Sequence, residues 1–156
     1  MVRFYFKGAL VAYGSPAADG SVKDTLRLTP GVMQLETHYP SGTLSRKMTY
    51  RNGEIDGTFQ EYHPNGQLME ETTHRVGEVE GTNMEYYPNG KVSEVTPYVD
   101  GYIHGERVIN WDNGMVREHI TYVNGERQGP WTVHDRTGKV VARYRTRNDD
   151  VVEIGK

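Results

Sequence analysis

The side chains able to do chemistry are few in kind and scattered in position. The 156-residue chain has no cysteine, six histidines and 21 Asp and Glu residues. Without cysteine there are no disulfides, no thiolate zinc sites and no Cys nucleophile, which fits a reducing compartment. His104 and His119 lie close enough in sequence to approach Glu106 or Glu118, the beginnings of a metal site. A metal needs converging ligands, and no close-spaced His pair supplies them. His38 and His134 fall at opposite ends of a repeating pattern and cannot meet. The stretch "GALVAYG" lacks the Lys-Ser/Thr pair and the following helix that a phosphate-binding loop requires. "GTLSR" places no base beside its serine. The sequence therefore predicts no catalytic residue, no metal site and no cofactor.

What the sequence does repeat is a scaffold. Gly42, Gly66, Gly90, Gly114 and Gly138 recur at a constant spacing of 24. Gly53, Gly77, Gly101 and Gly125 keep the same period, as do Gly57, Gly81, Gly105 and Gly129. Other columns follow in register: Leu44, Leu68, Val92, Val116 and Val140; then Tyr50, His74, Tyr98, Tyr122 and Thr146. A fixed period of this length marks a repeat architecture. Five units result, near residues 34–57, 58–81, 82–105, 106–129 and 130–148. Residues 1–33 read as a divergent N-terminal β cap, in which Val2, Phe4 and Phe6 alternate with polar or aromatic neighbours. Residues 149–156 read as a tail. Asp149 and Glu153 stand where glycines are due, so the last unit is expected to lose its second turn, as a terminal unit does.

Local structure follows from the glycines. "PNG", "PNG" and "DNG" set Asn-Gly between alternating segments, and both residues tolerate the positive φ of tight hairpins. The preceding Pro ends a strand because it cannot donate to the ladder. Each unit becomes a strand, a turn, a longer strand and a second turn. The predicted fold is all-β: an elongated, single-layer antiparallel meander growing by two strands per repeat. Pro97 lies within one longer strand, where a bulge or bend is expected.

These residues, Tyr-x-Pro-Asn-Gly-x-Leu/Val followed by Tyr-x-Asn-Gly-x-x-x-Gly, resemble MORN repeats, and most closely the bacterial variant with its Tyr-Tyr-x-Asn-Gly-x-Leu pattern. The resemblance covers about residues 34–148. It implies a binding module rather than an enzyme, of the kind found among bacterial antitoxins and immunity proteins, and elsewhere among scaffolds with lipid contacts. The family has no universal binding residues to carry over, and both ends of this chain depart from its pattern.

The candidate surfaces come from strand alternation. Leu68, Glu70, Thr72 and His74 share a face, as do Val92, Glu94, Thr96 and Tyr98, and Val116, Glu118, Ile120 and Tyr122. Glu70, Glu94 and Glu118 form one column. From Glu54 to Glu94 there are nine acidic residues against two basic ones. Such a field suits a basic protein partner, possible toxin or effector included, and equally a solvated face that resists edge aggregation. Tyr62, Tyr86, Tyr87, Trp111, Tyr98 and Tyr122 are candidate contacts for the same partner, because aromatic rings supply contact area at low entropic cost. The same rings also read as cross-strand packing. Arg143, Arg145 and Arg147 fall on one strand face, with Arg136 and Lys139 nearby, and are a weaker anion-binding candidate or a contact between copies of the chain.

Composition narrows the class. Mean hydropathy is −0.74 and formal net charge is −3, which favours neither nucleic acid nor an anionic membrane. Lys7 and Gly8 interrupt the apolar start of the chain, so it does not read as a signal peptide. The expectation is a cytoplasmic, non-enzymatic protein that neutralises or sequesters another protein, with a self-associating structural scaffold or a membrane-surface adaptor as the alternative.

Overall fold

A computed structural model describes residues 2–6, 9–16, 22–27 and 32–155. Among them there is no helix. Three strands, β1 (Val2–Phe6), β2 (Ala9–Pro16) and β3 (Val22–Arg27), form a small antiparallel sheet. The other strands form one open antiparallel sheet of 13 strands. In chain order these are β4 (Val32–His38), β5 (Leu44–Arg51), β6 (Glu54–Tyr62), β7 (Leu68–Arg75), β8 (Glu78–Val79) and β9 (Gly81–Tyr86). There follow β10 (Val92–Val99), β11 (Tyr102–Ile103), β12 (Gly105–Asn110), β13 (Val116–Val123), β14 (Glu126–His134), β15 (Val140–Arg147) and β16 (Asp150–Gly155). Sequence neighbours are spatial neighbours throughout, with β8 and β11 as short pairings on β7 and β10. The expected meander is present. The large sheet already begins at Val32, and the stretch set apart as a tail contains β16.

Two kinds of turn alternate, and they use Asn-Gly differently. At Asn52-Gly53 and Asn124-Gly125 both residues have positive φ, the condition for a tight two-residue hairpin. The last unit keeps this turn, contrary to expectation. Asn148 and Asp149 take φ of 49° and 64° in place of Asn-Gly, since Asp and Asn accept the left-handed region better than other non-glycine residues. At the Pro-Asn-Gly turns only the glycine has positive φ. There Gly66 N–H bonds to His63 O, and His63 N–H to Gln67 O. Asn65 instead uses its side chain: Oδ1 accepts from Gln67 N (3.1 Å) and Nδ2 donates to Pro88 O (2.9 Å) in the next turn. Asn89 and Asn113 do the same to Asp112 O and Arg136 O.

The glycines of the third series are not turn residues. Gly57, Gly105 and Gly129 sit within or at the start of strands with φ near 110°. A Cβ on Gly105 would lie 3.1 Å from Pro97 Cγ. The irregularity expected at Pro97 therefore falls across from it, between β11 and β12, where His104 N–H bonds to Pro97 O. The equivalent gap between β8 and β9 faces Thr73, whose carbonyl accepts from Glu80 N–H. Proline is thus a passenger there, and the glycine column sets the bend.

One face of the sheet is packed. Met48, Thr72, Thr96 and Ile120, one per repeat, are each at most 5% exposed. The cross-strand row through them reads Leu35, Met48, Phe59, Thr72, then Asn83, Thr96, then Arg107, Ile120, Trp131, Tyr144. Its ends are apolar and its middle is polar. Met33, Leu35 and Met48 cluster with Tyr50 and Phe59 at one end. Trp131 and Tyr144 stack at 4.5 Å toward the other.

Val76 breaks the turn rule. It holds φ of 52° where the equivalent turns have Asn52, Asp100 and Asn124, and it is 66% exposed, so packing does not compensate. The left-handed region costs an L-residue about 1–2 kcal/mol, and most for a β-branched one. Val76→Asn is expected to stabilise the protein by about 1 kcal/mol, read as a higher denaturant midpoint with an unchanged slope.

Candidate functional site

The packed face carries a second row beside the first. Register places Arg46, Glu61, Glu70, Glu85, Glu94, Ile109, Glu118, Val133 and Ala142 in line across successive strands. Four glutamates on β6, β7, β9 and β10 are thus immediate neighbours, at the strand spacing of about 4.8 Å. Like charges directly opposed across strands destabilise a sheet. The column Glu70, Glu94 and Glu118 lies on this face, as expected, but it is only part of the row. Glu61 and Glu85, one from each preceding strand, alternate with it.

Cations close the two ends of the row. Arg46 Nη2 is 2.8 Å from Glu61 Oε1. Arg107 forks onto Glu94, with Nε to Oε1 and Nη2 to Oε2 both at 2.7 Å. Thr96 Oγ1 donates a third bond to Glu94 at 2.6 Å. Burial works against the Glu94 carboxylate, yet these bonds and the Arg107 and Arg117 charges outweigh it and hold its pKa below the ordinary value. The Glu94 bonds in turn push the Arg107 guanidinium further up. Glu118 is served by Arg117, whose Nε is 3.2 Å from Oε1 but aligned for no hydrogen bond.

The middle of the row is not neutralised. Among the described residues, neither Glu70 nor Glu85 forms an ion pair. Glu70 accepts only from Thr72 Oγ1 (3.2 Å), which also donates to Asn83 Oδ1 (3.0 Å). Burial, then the Glu94 and Glu70 charges, raise the pKa of Glu85, with Arg107 opposing. Beside these carboxylates opens a pocket of about 230 Å³ lined by Ile55, Phe59, Glu70, Thr72, His74, Val79, Asn83 and Tyr98. Its walls are aliphatic and aromatic, and its one carboxylate is that of Glu70. Burial depresses the His74 pKa, against the pull of Glu70, so this ring favours its neutral form. The arrangement suits a cationic group with an apolar stem.

The nine residues expected to meet a partner do not form one surface. Glu70, Glu94, Glu118, Tyr98 and Tyr122 share the packed face. Tyr62 and Tyr86 lie on the opposite face, where their hydroxyls meet Gln60 Oε1 (3.0 Å) and the Met84 sulfur (3.7 Å). Tyr87 and Trp111 belong to the turns. Tyr87 OH donates to Asn110 O (2.7 Å) and Trp111 Nε1 to His134 O (3.2 Å), each reaching one repeat onward. Arg117 and Arg136 also lie over the Trp111 ring, at 5.4 and 4.9 Å. Their spacing in sequence resembles a binding stripe because structural spines repeat with the same period. Arg143, Arg145 and Arg147 are exposed on the opposite face of β15. Arg107 and Glu85 were not singled out from sequence. Simple folding about the Pro-Asn-Gly turn does not pair Glu85 with Glu94; the register shift between Val92 and Glu94 does.

His119 Nε2 does meet Glu106 Oε2, at 3.2 Å, but as an exposed pair. Among the described residues, no three His, Asp or Glu side chains converge to hold a metal, and no helix is long and apolar enough to cross a membrane.

The hairpin pairs that carry the glutamate row coincide with a known repeat. The family described as MORN repeat variant matches residues 55–75, 79–100 and 103–124. The three matches run in tandem through residues 55–124. No curated protein matches the chain. MORN repeats are in general non-catalytic modules that bind proteins or membranes, so the match is to a binding scaffold.

The two carboxylates predict opposite pH behaviour. For Glu85 the folded pKa is raised. Its stabilising contribution is complete below the ordinary pKa of about 4.3 and lost as pH rises through the folded value. Glu85→Gln is therefore expected to stabilise the protein at pH 7 by roughly 0.2–1 kcal/mol, with no gain below about pH 4. For Glu94 the folded pKa is lowered, so its contribution is present above the ordinary value and lost as pH falls through the depressed one. Arg107→Leu is expected to cost about 1.5–3 kcal/mol at neutral pH, and less once Glu94 is protonated. Denaturant midpoints of both variants at the two pH values check this.

Proposed function

We propose that the protein is a non-catalytic binding module that neutralises or sequesters another protein, in the manner of an antitoxin or immunity protein, and that it works in the cytoplasm. The observation that carries this reading is the glutamate row with an uncompensated centre. Folding gains nothing from Glu70 opposite Glu85, and a neutral pair would be more stable. A basic partner turns that repulsion into attraction, with its main effect on association rate and specificity. Open strands and a shallow pocket suit a surface contact better than a reaction. The MORN repeats supply the rigid ribbed frame.

The test is capture by tagged wild-type protein and by Glu70→Gln/Glu85→Gln from native cells. A single stoichiometric partner, recovered by the wild type at low salt and lost from the double variant, is the expected outcome. Recovery of the bait alone, or of a partner held equally by the variant, overturns the reading. The exposed arginines of β15 favour self-association as the second reading.

A further inference from the structure

Arg143, Arg145 and Arg147 are exposed on one face of β15. Among the described residues, none of the three forms a hydrogen bond or an ion pair. The register sets Arg145 against Val152 and Arg147 against Asp150 of β16. Val152 is 62% exposed and Ile154 56%. Arg145, Arg147, Asp150, Val152 and Ile154 line a groove of about 580 Å³. This is a basic strip with an apolar shoulder and one carboxylate of its own, Asp150.

The complement of this strip is on the same molecule but on the other face. The row Glu61, Glu70, Glu85 and Glu94 crosses four strands, and its centre has no cation. The two strips match in length. Three gaps between strands of about 4.8 Å make the glutamate row roughly 14 Å long. Two i to i+2 steps of about 6.7 Å make the arginine row roughly 13 Å long. One row runs across its strands and the other along its strand, so they align when the two sheets cross near a right angle, a recognised sheet-packing geometry. Within one chain they cannot meet, because they lie on opposite faces and several strands apart.

We propose that the arginine face of β15 docks on the glutamate row of a second copy of this chain. Arg145 and its neighbours reach the Glu70 and Glu85 carboxylates, and Val152 and Ile154 cover the apolar wall formed by Phe59 and Ile55. The contact is heterologous: different patches meet, and each copy keeps one free donor face and one free acceptor face. Such contacts close into rings or continue as open chains. The inference rests on the second reading above, self-association through β15, and its test needs no other partner. A cationic partner and a second copy would compete for the same glutamates.

The experiment is sedimentation of the purified full chain over a range of concentrations. At low ionic strength the average mass is expected to rise with concentration, and the rise to disappear in about 1 M salt, where screening falls to ~3 Å. Arg143→Glu/Arg145→Glu/Arg147→Glu and Glu70→Lys/Glu85→Lys are each expected to weaken association about tenfold or more. Mixing these two variants is expected to restore it, because each then offers a charge-matched face to the other. Glu70→Gln/Glu85→Gln is the gentler control, expected to be folded, more stable and monomeric. A strictly monomeric wild type overturns the proposal. So does association that survives the glutamate changes, since the arginines would then be meeting something else, or mixing without rescue.

Discussion

Every equivalent turn is tied to the next. On one edge of the sheet Tyr39, His63, Tyr87 and Trp111 each reach a main-chain carbonyl one repeat onward, joined by Asn65, Asn89 and Asn113. On the other edge Gly77, Gly101, Gly125 and Asp149 donate backbone N–H groups to Ile55, Val79, Ile103 and Arg127. A thin sheet has little apolar volume to hold its strands in register. These two spines do that work instead, and they explain why the period admits no insertion. An extra residue in one unit would put each side-chain donor out of reach of its carbonyl. With register secured at the edges, the positions between are free to vary.

That freedom is visible along the packed face. The row of most buried side chains passes from Met48 and Phe59 through Thr72, Asn83, Thr96 and Arg107 to Ile120 and Trp131. A polar middle in a buried row is tolerated because its groups satisfy one another: Thr72 with Asn83, Thr96 with Glu94, Glu94 with Arg107. Glu70 and Glu85 have no cation in this network, and Trp131 Nε1 and His74 Nδ1 are buried without a hydrogen-bond partner. In a repeat protein each unit contacts only its neighbours, so a local departure from good pairing weakens one junction rather than the whole.

The repeat, the strand order and the two-faced alternation were legible because glycine columns and Asn-Gly turns are local statements. Gly42 to Gly138 alone set the period. Which residues face one another across strands was not legible in the same way. The 24-residue period aligns Glu70 with Glu94, two strands apart, but says nothing of Glu85 between them. That neighbour is fixed by the hairpin register, which a bulge beside each Pro-Asn-Gly turn shifts by one residue. The role of the aromatic residues in the frame was hidden for a related reason. Tyr87 and Trp111 recur with the period of a surface stripe, yet their polar tips are spent on the spine. The last turn was misread because Asn148-Asp149 contains no glycine, although Asp and Asn adopt the required conformation.

The spines and ladders also set how the sheet bears load. Cross-strand hydrogen bonds lie along the direction in which strands accumulate, so a pull on the two ends of the array strains them in line. Bonds arranged this way open one strand pair at a time, as a zipper does, instead of resisting together in shear. A folded repeat occupies about 10 Å of the array, while its residues drawn out reach roughly 80 Å. Peeling one repeat from an end would therefore release some 70 Å of slack at a modest force and leave its neighbours folded. Under tension the protein would behave as a stepwise extensible tether.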